Sequence, residues 1–256
     1  MWRRVCGVRP MRIDVCVPTL SEPQAEFEEM IRTTIPTNSI IYSWAKPLSA
    51  ARQELIDKVT TEFFAFVDTD VILLPNWFSQ VTKLLDDHTG AVEGYWIYTA
   101  PEVELYQNAM RDLARLLGRR SANERLVRAF TGDTLIRTKA VRGIRIPPLQ
   151  VYEDEYIRKY VEERGYAWKR TSKPVCLHNR SQNVSQAFAV GYNAHRLGML
   201  TPRQALLNLA LVLPKSCYAG AKVVAVQVTR EALTTWGCLS SRFNLTQEKA
   251  GESQTR

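Results

Sequence analysis

One ten-residue run constrains this chain more than any other. Residues 62–71 read Glu-Phe-Phe-Ala-Phe-Val-Asp-Thr-Asp-Val, an apolar stretch that stops at two carboxylates one residue apart. A short apolar run ended by turn residues fits a strand buried within a sheet. In a strand the side chains at i and i+2 share a face, which predicts that Asp68 and Asp70 project together from the strand end. Two hard oxygen ligands at such a place suit Mg²⁺ or Mn²⁺, which complete their shells with substrate phosphates and water. The same pair equally suits a surface turn before the next helix, because Asp favours turn chemistry. The rest of the chain has to decide between the two.

The residues before this run repeat one pattern. A β-rich stretch over 12–17 is ended by Pro18-Thr19, and a helix is predicted over 23–32 with Phe27, Met30 and Ile31 at helical spacing. A second strand over 39–44 is stopped by Pro47. Ser49 can then cap a helix over 49–60, on which Leu55, Ile56 and Val59 face one way. After the Asp pair, Pro75 starts a helix carrying Trp77, Phe78, Val81, Leu84 and Leu85, closed near Gly90, and 91–98 is a further strand. Alternating strands and helices predict a parallel sheet with helices on both faces. Ligands in such sheets bind at the carboxyl ends of the strands, where Thr19, Trp44, Asp68 and Asp70 all fall.

Beyond residue 100 the reading changes. A helix is expected over 102–117, a polar connection over 118–125, and a glycine turn into a strand over 130–137. After Pro147-Pro148, three acids, Glu153, Asp154 and Glu155, open a helix that Gly165 ends. Acids at a helix start also satisfy the helix dipole, so charge matching alone explains them. Two short extended pieces, 166–170 and 175–178, follow, the second ending at His178.

Composition excludes several classes. The 256 residues suffice for one large domain, or a domain with an appendage, and 45% hydrophobic with 23% charged residues is ordinary for a globular chain. Five scattered cysteines without paired spacing argue against a disulfide framework and a zinc site, so a reducing, cytoplasmic compartment is expected. No apolar run reaches the roughly 18 residues of a membrane span. Residues 1–10 read as a short basic arm, with Met11 as an alternative start. The net charge of +8 sits mostly late in the chain, where 180–242 holds seven Lys or Arg against Glu231 alone. That excess suits an anionic partner, either substrate phosphates or a membrane surface, and equally a solvated basic face. Helices are expected over 186–197, 201–213 and 219–236, packing on the first domain, pairing with a second copy, or lying on a membrane; 244–256 reads as a flexible polar tail.

Taken together, Pro18-Thr19 after the first strand, Ser49-Ala50-Ala51-Arg52 before the third, Asp68-Thr69-Asp70 ending it, Glu153-Asp154 opening a helix, and His178 closing a strand resemble the family 2 glycosyltransferases of GT-A fold. The likeness covers residues 13–179 and rests on the order of the motifs rather than on any one of them. It implies a GT-A-like, Rossmann-type, mostly parallel sheet flanked by helices, with a C-terminal helical appendage. The domain plan is an arm (1–10), a catalytic domain (11–180) with a nucleotide-sugar half (11–100) and an acceptor half (101–180), a helical region (181–243) and a tail (244–256).

The resemblance also implies the chemistry: a sugar moves from a nucleotide-diphosphate donor, UDP- or GDP-linked, to an acceptor hydroxyl with inversion. The acceptor would be a glycan, a lipid-linked molecule or a protein. Asp70 would hold Mn²⁺ or Mg²⁺, Asp68 would share the metal or contact the donor ribose, and His178 would be a further ligand or diphosphate contact. Asp154 would be the general base, with Glu153 as the fallback. Arg52 would lie near the donor phosphates, and Pro18, Thr19 and Trp44 would line the nucleoside pocket. The family's usual Tyr-Asn after Pro-Thr is Leu20-Ser21 here, which leaves the base unassigned, and no Gln-x-x-Arg-Trp signature of processive synthases is present. Two rivals fit less well. A sugar nucleotidyltransferase should carry a glycine-rich phosphate loop after its first strand, and a nucleic-acid-binding protein would not need acids at strand ends.

Overall fold

The computed structural model describes residues 11–99, 129–179, 187–216 and 221–254. The arm at 1–10, the expected helix over 102–117 and the connection at 118–125 lie outside the described residues.

Among the described residues seven strands form one sheet, in the order 37–43, 13–18, 63–67, 133–137, 89–98, 167–178 and 71–73. The first three are β1 (Ile13–Pro18), β2 (Thr37–Ser43) and β3 (Phe63–Val67), joined by α1 (Ala25–Thr34) and α2 (Leu48–Lys58). Both pairings of β1 are parallel, as crossover connections through helices require. Every residue of β1 and β3 is buried, the signature of strands covered on both faces. The parallel part ends there: β6 (Asp133–Arg137) enters antiparallel to β3 and to β5 (Thr89–Tyr98), and β4 (Val71–Leu73) pairs antiparallel with β7 (Ala167–His178). The sheet is therefore mixed. Ile13, Val15, Phe63, Ala65, Val67, Trp77 and Leu135 lie in one apolar core against it.

Several boundaries differ from the sequence expectation. The helix after Pro75, α3, is short (Trp77–Thr82), and α2 begins at Leu48, so Ser49 sits inside its first turn. The two extended pieces before His178 are one continuous strand, β7. After the brief α4 (Thr138–Val141), α5 spans Glu153–Glu163 as expected.

The chain divides into two compact units. The first comprises Met1–Ile97, Ala129–Ile146 and Glu155–His178, and the second Tyr98–Arg128, Pro147–Asp154 and Asn179–Arg256. In the second unit α6 (Ala187–Arg196) and α7 (Pro202–Ser216) each pack on α8 (Ala221–Gln254). The crossing of α6 and α8 depends on glycine. A Cβ at Gly191 would lie 1.7 Å from the Thr234 carbonyl oxygen, and one at Gly237 would lie 2.0 Å from that of Phe188. Where a tail was expected from residue 244 onward, α8 continues to Gln254. Among the described residues no helix is long and apolar enough to cross a membrane, and Cys16, Cys176 and Cys238 are buried free thiols.

Candidate functional site

Strand β3 stops with its apolar run, at Val67, and not at Asp70 where the sequence reading ended it, so the Asp pair lies beyond the strand. The Val71 N–H donates to the Asp68 carbonyl at 3.0 Å, closing a turn over 68–71. The strand rule of shared faces therefore does not govern Asp68 and Asp70, and each carboxylate has its own partner. Arg52 Nη2 donates to Asp68 Oδ1 at 3.1 Å and to Oδ2 at 3.2 Å. Asp70 Oδ2 lies 3.1 Å from His178 Nε2. His178 meets Asp70 because it is the last residue of β7 and pairs in register with Val71, the first residue of β4.

Arg52, expected beside the donor phosphates, is 2% exposed. Its guanidinium holds Asp68 and lies over the Phe66 ring, 4.9 Å from the centroid. Burial pushes the Asp68 carboxyl above its usual range against the pull of Arg52, and the nearby charge of Asp70 adds to the rise. The Asp68 N–H donates to the Gly132 carbonyl at 2.8 Å. A Cβ at position 132 would lie 2.5 Å from Asp68 Oδ2, so any larger residue there would displace the Asp68 carboxylate.

Sequence reading missed a buried polar layer beside this turn. Glu93 accepts from Trp168 Nε1 at 3.1 Å and from Arg170 Nε at 3.0 Å. Burial pushes its carboxyl up to about 7, although Arg170 and Trp168 pull the other way. Asp133, fully buried, accepts from the Cys176 thiol and is held well above the carboxylate range by burial and by Glu93. The Arg170 guanidinium covers the Trp96 ring at 5.0 Å, Trp96 packs on Phe130 at 4.7 Å, and Phe130 packs on the His178 ring at 4.9 Å. The one sequence signal for this layer was a glutamate within the apolar run Ala91-Val92-Glu93-Gly94.

At the end of β1, Pro18 and Thr19 are buried, and the Thr19 hydroxyl donates to the Ser21 carbonyl at 2.6 Å, closing a local turn. Trp44, just beyond β2, is not a core residue. It is 46% exposed, with its ring 5.9 Å from that of Tyr42.

The three acids opening α5 separate into different roles. Glu155 accepts from the Ala129 N–H at 3.2 Å and pairs with Arg158, a structural assignment within the first unit. Glu153 and Asp154 are both buried, at 4% exposure, and belong to the second unit.

Among the described residues no group of three or more His, Cys, Asp or Glu side chains is arranged to hold a metal ion. The Asp70–His178 pair nevertheless fits one as a two-donor edge. Adjacent ligands of an octahedral cation at about 2.0–2.1 Å lie about 2.9 Å apart, close to the 3.1 Å separation found. Mg²⁺-type ions commonly take only one or two protein ligands and fill the rest with water and phosphate oxygens.

A family model described as glycosyl transferase family 2 matches residues 15–152, more than half of the chain. No curated protein sequence matches. Among solved structures, glucosyl-3-phosphoglycerate synthase from Mycobacterium tuberculosis, in complex with Mn²⁺, UDP and phosphoglyceric acid, superimposes with a TM-score of 0.50 at 15% identity, covering 74% of this chain and 78% of that one. A mannosyltransferase from Pyrobaculum calidifontis with GDP-Man and Mn²⁺ gives 0.48 at 13% identity, over 97% of this chain and 79% of that one. S. aureus TarS 1-349 gives 0.45 at 12%, over 93% and 92%.

Proposed function

The chain belongs to glycosyl transferase family 2 and has the α/β architecture of the GT-A type, and from that premise we propose that it transfers a sugar from a nucleoside-diphosphate donor to an acceptor hydroxyl with inversion. The observation that carries this reading is the Asp70–His178 pair at 3.1 Å, where β7 ends beside the turn after β3. Family membership argues against the nucleotidyltransferase and nucleic-acid-binding alternatives.

In this reading Asp70 and His178 hold a divalent cation, Mn²⁺ or Mg²⁺, as the synthase captured with Mn²⁺ and UDP suggests by analogy of fold. When bound, such an ion stabilises the charge that develops on the departing diphosphate. Asp68, oriented by Arg52, faces the donor ribose or shares the cation, so Arg52 acts through Asp68 rather than on the phosphates. Pro18 and Thr19 line the nucleoside pocket with backbone, and the exposed ring of Trp44 offers a face for the base. Asp154 takes the proton of the acceptor hydroxyl as its oxygen attacks the anomeric carbon and the nucleoside diphosphate leaves from the opposite face. Glu153 is the fallback base. The family match ends at residue 152, one position before this acid pair, so the base rests on the order of motifs.

Thermal melting with UDP and GDP, with and without Mn²⁺, tests the reading. A ligand at 100 times its Kd stabilises the folded state by about 2.7 kcal/mol. A nucleotide shift that requires Mn²⁺ in the parent and disappears in Asp70→Ala is expected, whereas Asp154→Asn should keep the shift and lose transfer. Equal shifts with and without metal, or full turnover by Asp154→Asn, would refute the corresponding half.

A further inference from the structure

Tyr152, the residue immediately before the acid pair, has φ +73° and is the one non-glycine residue in the left-handed region among the described residues. An aromatic side chain is rarely held there, because its Cβ crowds the following carbonyl. Such conformations persist only where surrounding packing over-determines them. A residue preceding a helix ordinarily takes an extended conformation and offers a short polar side chain to the first turn; Tyr152 does neither.

The packing that holds it lies within the second unit. Tyr152 is 9% exposed, and with Val151 it forms an apolar cluster with Ala189, Val190 and Ala194 of α6 and with Leu197, Met199 and Leu200 just beyond. That surface is itself fixed. The Met199 N–H donates to the Ala194 carbonyl at 2.8 Å, His195 Nδ1 lies 3.0 Å from the Leu200 carbonyl, and Gly191 seats α6 against α8.

We propose that Tyr152 is a positioning residue, anchoring the backbone that leads into Glu153 and Asp154 to α6 within the second unit and so setting the orientation of Asp154. This rests on the reading of Asp154 as the base. The C-terminal helices then have a role in placing the proposed base. They act on the acid pair through one strained residue and an apolar cluster.

The test uses the full chain and two readouts, amide deuterium exchange and the release of UDP or GDP from UDP-glucose or GDP-mannose with Mn²⁺. Tyr152→Asn tolerates the left-handed backbone but removes the ring, Tyr152→Phe keeps the ring, and Ala194→Leu disturbs the anchor from the α6 side. Anchoring predicts that exchange at the amides of 156 and 157, which the helix pattern pairs with the carbonyls of 152 and 153, rises about tenfold or more in Tyr152→Asn and Ala194→Leu while β1 and β3 keep their protection. A misplaced base predicts kcat lower by about tenfold to a hundredfold with the donor KM within about twofold. Tyr152→Phe should restore both. Unchanged exchange at 156 and 157 in the Asn and Leu variants, or a Phe variant as impaired as Asn, would overturn the proposal. A change confined to KM would also overturn it. The exchange readout needs no substrate and decides the anchoring by itself, including where Tyr152→Asn fails to fold, through Ala194→Leu. Asp154→Asn separates the two ideas. If it still turns over, the base assignment fails while the exchange result stands.

Discussion

Replacing Arg52 by leucine removes one member of the pair that holds Asp68 and leaves the carboxylate behind. The guanidinium lies 3.1 Å from Asp68 Oδ1, with the two side chains 2% and 19% exposed. At an effective dielectric of about 20, unit charges 3.1 Å apart attract by about 5 kcal/mol. Desolvation offsets most of this while both partners are present, but losing one partner costs about 3–5 kcal/mol. The cation over Phe66 adds about 1 kcal/mol. At about 2–4 °C per kcal/mol for a chain of this size, Arg52→Leu should melt about 10 °C or more below the parent. Asp68→Leu should behave alike, since it strands Arg52. The double variant should return to within about 2 kcal/mol of the parent, because two apolar side chains leave no buried charge. Urea unfolding followed by tryptophan fluorescence on all four proteins gives the coupling energy directly. A coupling near zero, with the two losses simply adding, would refute the pairing as the source of Asp68's orientation.

Two further predictions concern pH. Burial raises the Asp14 carboxyl, but hydrogen bonds from Asn38, Ser39 and Thr60 outweigh it and hold the group at about 2, below its ordinary 3.8. The folded pKa is the lower one, so this stabilisation is present above about pH 4 and lost as pH falls through 2; the urea midpoint of Asp14→Asn should show an acid limb flatter by about 2 kcal/mol, and parallel limbs would refute the assignment. Glu93 runs the other way. With its carboxyl pushed up to about 7 from 4.5 by burial, the folded state binds the proton more tightly, so stability should decline as pH rises from 4.5 through 7. Glu93→Gln should remove that decline, and an unchanged pH profile would show that Glu93 is ionised throughout.

Much of the fold was legible because its signals are local. Five consecutive apolar residues at 63–67 make a strand whatever follows, and the residues of β1, α1, β2 and α2 carry their own periodicities and stops. The antiparallel entry of β6 was not legible, since strand order depends on which edge a distant segment reaches. Neither was the extent of α8, whose polar end from residue 244 has the composition of a tail.

For the candidate site the division is sharper. The sequence by itself determined that acids cluster at strand and helix ends, in an order that resembles one transferase family, because that information lies in residue type and spacing. Only the tertiary structure decided which group each acid meets. Asp68 pairs with Arg52 sixteen positions away, Asp70 with His178 at a separation of 108, and Glu93 with Arg170 at 77. The turn closed by the Val71 N–H sends Asp68 and Asp70 to different partners, although the two are a single residue apart. Glu155, in turn, meets Arg158 and the Ala129 N–H. Apart from the local Glu155–Arg158 pair, the physical reason is common. A carboxylate's role follows from the charges and donors that the packing of distant elements brings beside it, and that packing joins residues that no local pattern connects.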